Sequence, residues 1–358
     1  MEVVFLIGNG FDLNLGLKTK YIDFINWLNN LEPNSNKAVN KLQSSIKDYC
    51  NTRGTKDETR INWSDAEIAF GQFTDEFKGD SNGDEEIDEC HTFICEKLSE
   101  YLQIEEKKAP IFRIIKDKSI MEEAGKAFAN YSVGLLPVDK SKVDRAFSRV
   151  DGGLNIQIID FNYTSIIDQI FEEVKKQSLL GTRVVMNTRY PNTLKSIIHV
   201  HGYLNHGLVF GVDNESQLSI EVFNNEEPER KRALIKECVN QDMGEAVDEK
   251  VTNAIDASNL LYVYGMSLGQ TDLRWWKRII RKMKADQGCI LIIHKIDVPS
   301  IGLKPAPYKK YCRVNKEIFL KNESDLDENQ KESIRNRIYY TNTNIFSMLE
   351  NAINIIDV

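Results

Sequence analysis

The chain has 358 residues, a net charge of −8, and 41% hydrophobic and 28% charged side chains, the balance of a soluble globular protein rather than a disordered or fibrous one. The acidic balance argues against a broad surface for duplex nucleic acid. No apolar run has the length of a membrane span or the basic flank of a secretion signal, so a cytoplasmic location is expected.

Val3 to Ile7 is an uninterrupted apolar run, the pattern of a strand covered on both faces, and it breaks at Gly8-Asn9-Gly10. Glycines there can take positive φ and let a ligand approach backbone N–H groups, although Leu13 occupies the sixth place of the dinucleotide fingerprint. An ordinary turn after a core strand is the alternative. Tyr21 to Leu31 has helical spacing. Residues 31–150 are polar, with apolar residues at three- and four-residue steps, and read as a helical insertion. Ser64 and Glu67 stand at capping-box spacing within it, which gives both a structural reason, the alternative being Glu67 or Asp65 facing a ligand. Six scattered cysteines without a Cys-x-x-Cys pair indicate neither a disulfide framework nor a zinc ribbon.

After Gly152-Gly153 short apolar runs alternate with helices. Strands are expected at Ile156–Phe161, Val184–Met186, Ile197–Val200, Leu208–Phe210, Leu260–Tyr264, Ile290–His294 and Arg337–Tyr340. Helices are expected near Ser165–Lys176, Glu229–Glu237, Leu273–Ala285 and Ile345–Ile356. This alternation specifies an α/β fold: a Rossmann-like, doubly wound, mostly parallel sheet built from residues 1–30 and 151–358, with 31–150 inserted over its carboxyl edge as a lid.

In such sheets ligands bind beyond the carboxyl ends of the strands. Four ends carry polar groups: Gly8-Asn9-Gly10, Asn162-Tyr163-Thr164, His201-Gly202 and Gly265-Met266-Ser267. Asn162 suits ribose hydroxyls, or serves the turn with Thr164. Ser165 and Asp168 have capping-box spacing. His199 and His201 alternate and would share a face of a regular strand, with His201 placed as a general base, Gly202 leaving room for substrate, and no third ligand spaced for a metal. Thr271 or Asp272 could cap the helix from Leu273, whose basic run Lys277 to Lys284 reads as a solvated face before a nucleic-acid patch.

Taken together, Leu6-Ile7-Gly8-Asn9-Gly10-Phe11-Asp12-Leu13, Phe161-Asn162-Tyr163-Thr164, His199-Val200-His201-Gly202 and Tyr264-Gly265-Met266-Ser267-Leu268 with Asp272 resemble the AbiH family of bacterial abortive-infection proteins. That resemblance implies phage resistance, in which an infected cell stops growing or dies before phage release. The order of motifs is also similar, more distantly, to sirtuins and the sirtuin-like NAD hydrolases of phage defence. This second resemblance implies that Gly8 and Gly10 cradle the pyrophosphate, Asn162 holds the nicotinamide-side ribose, His201 acts on a ribose hydroxyl, and Ser267 contacts the adenosine half. Asn9, Asp12, Thr164, Gly265 and Asp272 complete the implied nucleotide-binding set. Thr164 departs from that pattern, which has Asp there, and the four-cysteine zinc module is missing, against protein deacetylation. NAD is the expected ligand, with no metal. A homo-oligomer, a defence-system partner protein and a phage trigger are the other expected partners. A non-catalytic nucleotide sensor and an RNA-directed toxin are the competing readings.

Overall fold

The computed structural model describes residues 1–32, 35–54, 63–204, 206–223, 228–244, 246–266, 272–300 and 305–356. Its strands, in chain order, are β1 (Glu2–Ile7), β2 (Asn155–Asp160), β3 (Thr182–Val185), β4 (Thr188–Pro191), β5 (Thr193–His199), β6 (Leu260–Tyr264), β7 (Ile290–His294) and β8 (Ile338–Thr341). Six of them form one sheet in the order β5-β2-β1-β6-β7-β8, with every neighbouring pair parallel. The chain builds outward from β1 to β2 and β5, then returns to the other side of β1 for β6, β7 and β8. The order therefore reverses between β1 and β6, the switch point where open α/β sheets bind ligands.

The apolar run of β1 is continuous because both of its faces are covered. Val3, Phe5 and Ile7 join one buried cluster, which includes helix 166–176 and helical residues between Ile111 and Phe147. Val4 and Leu6 join the opposite cluster, with helices 247–257, 273–285 and 306–320. Helix 273–285 buries Trp275, Trp276, Ile279, Ile280 and Met283 along one stripe, so its 3.6-residue periodicity suffices to dock it. The architecture is the expected α/β sheet with helices on both faces.

A third cluster is separate from the sheet faces. It unites helices 21–29, 37–54, 63–73 and 83–108 with Tyr163, Leu204, Phe210, Val212 and Leu234, residues that follow β2 and β5. These helices form a cap beside the carboxyl ends. Residues 111–147 instead pack directly on the sheet.

Several expected elements differ. Val184 and Val185 belong to a separate antiparallel hairpin, β3 with β4, whose turn places Met186 and Asn187 at positive φ. Leu208–Phe210 is no strand: Val209 N–H donates to the His201 carbonyl and Phe210 enters the cap cluster. The stretch Glu229–Glu237 is split into helices 228–232 and 236–242, because Ile235 pairs with Val212 in an isolated bridge. Helices 247–257, 306–320 and 328–335 were not anticipated.

Candidate functional site

The register makes the site. Ile7 stands opposite Asp160 and Tyr264, and Asp160 opposite His199, so β1, β2, β5 and β6 end level with one another. The four polar loops therefore follow adjacent strands.

The glycine loop is built for close backbone approach. Gly8 N–H donates to the Tyr264 carbonyl and Gly10 N–H to the Gly265 carbonyl. A Cβ on Gly8 would meet Met266 at 2.6 Å, and one on Gly10 would overlap the Gly265 Cα. Neither Gly8 nor Gly10 has a positive φ; that conformation belongs to Gly265. The expectation of positive φ is thus corrected, and the N–H groups of the two glycines assigned by resemblance to a pyrophosphate already have the Tyr264 and Gly265 carbonyls as partners. Asn9 is likewise engaged locally: its Nδ2 donates to the Thr19 carbonyl and its Oδ1 accepts from the Thr19 hydroxyl.

Asp12 is buried, and Thr164 donates its hydroxyl to Asp12 Oδ2 at 2.8 Å. Burial holds the Asp12 carboxyl well above the usual carboxylate range, against the pull of that hydrogen bond. Asn162 is buried at the end of β2, its backbone N–H held by Asp160 Oδ1 at 2.9 Å. Its carboxamide is different: neither Oδ1 nor Nδ2 has a hydrogen-bond partner among the described residues, and Asp12 Oδ1 has none either. Both residues line one small cavity with Asn9, Thr19, Leu102, Phe161 and Tyr163.

The two histidines separate. Strand β5 ends at His199, so the alternation does not carry through to His201 and the expected shared face is lost. His199 lies between two carboxylates, Nδ1 to Asp160 at 3.2 Å and Nε2 to Asp168 at 3.0 Å. Burial alone would lower its pKa, but the two carboxylates outweigh it and raise it to about 9. The three side chains have ligand atoms within 4.8 Å of one another. Because the imidazole directs both nitrogens at carboxylates, the cluster reads as a clamped cation. Asp168 is used there, so the Ser165–Asp168 capping box does not form; Ser165 donates its N–H and hydroxyl to Glu106 of helix 83–108 instead.

His201 has the opposite environment. Burial, and then the nearby Lys236 charge, lower its pKa to about 4, while Asp272, 3.4 Å from Nε2, pulls the other way. Its imidazole is neutral near pH 7. Asp272 is held below the usual carboxylate range: burial opposes this, but His201, Lys236 and Arg274 prevail. Gly202 does not open space for substrate, since its φ is +62° and a Cβ there would strike the Gly207 carbonyl. Ser267 and Thr271 lie outside the described residues.

Sequence reasoning missed the groups that brace this site. Lys236 is buried with its Nζ 2.7 Å from Glu67 Oε1, and the Tyr163 hydroxyl lies 3.3 Å from the same oxygen. Glu67 therefore joins the cap to the core; the expected Ser64–Glu67 capping box falls on a Ser64 side chain outside the described residues. Burial pushes the Asp213 carboxyl up to about 6, against Arg274 and Lys236. Asp160 had one legible signal, an acid ending an otherwise apolar run. Lys236 had none, because its partner is distant in the chain.

The profile of the family described as bacteriophage abortive infection AbiH matches residues 4–294. The chain belongs to the AbiH family. The matched span holds every candidate site residue and excludes β8, so what the AbiH profile describes contains the carboxyl-end site. A comparison with curated proteins found no match. Abortive infection is the role that AbiH membership supports for this chain.

Proposed function

We propose that this AbiH protein carries out abortive infection by hydrolysing NAD at the nicotinamide–ribose bond. The observation that carries the reading is the Asn162 carboxamide, buried at the carboxyl end of a Rossmann-order sheet with two unpartnered polar atoms, where a ribose hydroxyl can be bound. His201 stands outside the Asn162 cavity lining, its ring 5.7 Å from those of Phe161 and Tyr163, which belong to it; neutral near pH 7, it can accept a proton from a ribose hydroxyl once the cap moves, which raises electron density on the sugar ring as the bond to nicotinamide breaks. Water then adds at the anomeric carbon, and the products are nicotinamide, ADP-ribose and a proton.

The cap supplies the dry surroundings that an oxocarbenium-like transition state favours. It also closes the site. The Asn162 cavity measures about 10 Å³, room for roughly one water, so nucleotide entry requires movement of Leu102 and its helix, which suits an enzyme silent until infection. The same closure favours the second reading, a nucleotide sensor without catalysis.

The test follows NAD and free nicotinamide in infected cells that carry the protein. His201→Ala should slow NAD loss by a factor of about 10² and abolish protection with folding intact, and Asn162→Ala should also weaken nucleotide binding. If the His201 variant protects as well as the unaltered protein, or NAD does not fall, the sensor reading replaces this one.

A further inference from the structure

We propose that Asp12 and Asn162 together form a vicinal-diol site, Asp12 Oδ1 taking one hydroxyl and the Asn162 carboxamide the adjoining one, and that this pair selects ribosyl over deoxyribosyl compounds. The inference rests on the ribosyl reading of the carboxyl-end cavity and adds to it the group that sets sugar specificity.

Three buried polar atoms, Asp12 Oδ1, Asn162 Oδ1 and Asn162 Nδ2, lack hydrogen-bond partners among the described residues, and their side chains line one cavity. Buried polar groups are normally satisfied, so three together mark a place where a ligand completes the bonding. The lining also restricts the ligand. It contains no Lys, Arg or His, while Asp160 and Glu106 lie near enough to raise the Asp12 pKa further. A phosphate would therefore find no cation there, and the Gly8 and Gly10 N–H groups are already bonded to the Tyr264 and Gly265 carbonyls. With neither thiol nor imidazole in the lining, a soft metal has no ligands there.

A neutral hydroxylic group fits. Asp12 and the Asn162 amide offer acceptors and a donor, whereas each hydroxyl of a diol is both donor and acceptor. Leu102 and Phe161 supply apolar walls for the carbon skeleton of a sugar. Thr164 fixes the carboxyl through Oδ2 and leaves Oδ1 for the ligand. The chain thus presents a carboxyl from the short helix Gly10–Asn14 that follows β1, at a site where position 164 carries only a hydroxyl.

The test measures binding of NAD, its analogues lacking the 2′- or 3′-hydroxyl of the nicotinamide ribose, ribose 5-phosphate and 2-deoxyribose 5-phosphate to the full chain. Removing either hydroxyl should weaken binding at least tenfold, on the order expected when a buried partner is left unpaired. Asp12→Asn, which preserves shape and can still accept the Thr164 hydroxyl, should reduce discrimination at one hydroxyl while the melting temperature confirms folding. Equal binding of ribosyl and deoxyribosyl compounds by the unaltered protein overturns the diol site whatever the variant does, and leaves NAD cleavage standing if nicotinamide is released. Discrimination without nicotinamide release upholds the diol site, and NAD cleavage is then decided by NAD loss in infected cells. Binding of none of these compounds overturns the diol site.

Discussion

Two histidines two residues apart have opposite protonation chemistry, and stability should register both. His199 binds its proton more tightly in the folded protein, with a pKa of about 9, than in the unfolded chain near ~6.5. Its contribution is fully present below ~6.5 and is lost as pH rises through about 9. His201 is the reverse. Its folded pKa of about 4 lies below the unfolded ~6.5, so acidification across that window favours unfolding. His199→Gln should cost about 2–3 kcal/mol at neutral pH, the low side for breaking a buried pair because Asp168 is partly solvated. Denaturant unfolding measured between pH 6 and 10 should show a shallower alkaline loss in this variant than in the unaltered protein. Identical slopes would mean that the carboxylate clamp carries no linkage.

At the scale of elements, the glycine loop changes meaning once β6 is beside it. From the sequence, replacing Gly10 by Val is expected to abolish nucleotide binding with a smaller effect on folding. The structure reverses that weighting, since a Cβ at Gly10 would overlap the Gly265 backbone, which cannot move without breaking the Gly10–Gly265 hydrogen bond. Even Gly10→Ala should destabilise by about 1–3 kcal/mol or more, visible as a lowered melting temperature. A variant that melts like the unaltered protein but loses nucleotide would restore the ligand-approach explanation. The cap offers the contrasting case, held to the core by specific polar contacts as well as packing. Glu67 pairs with Lys236, the Tyr101 hydroxyl donates to the Lys18 carbonyl, and Glu105 and Glu106 accept from the Lys18 and Ser165 N–H groups.

For the whole molecule, the distribution of charge decides against a polyanion surface on helix 273–285. Arg274 pairs with Asp248, Arg278 with Asp256, Arg281 with Glu323 and Lys282 with Asp286, so much of its basic face is neutralised by neighbouring elements. With a net charge of −8, the protein should not retain RNA at about 0.15 M salt in a filter-binding assay. Tight, salt-sensitive retention would revive the toxin reading. No helix among the described residues is long and apolar enough to cross a membrane.

What the sequence determined by itself was what local pattern encodes. The apolar runs of β1, β2, β6 and β7, the stripe of helix 273–285 and the four polar strand ends were legible because two-sided burial and helical periodicity write themselves into consecutive residues. Only the tertiary structure decided how those ends meet. That Gly8 and Gly10 leave room for Met266 and Gly265, that Asp168 pairs with His199 instead of capping its helix, and that burial and then Lys236 keep His201 neutral all depend on contacts between residues far apart in the chain. Hydrogen bonding and desolvation act through space. A motif therefore names the polar group, and the fold chooses its partner and its protonation state.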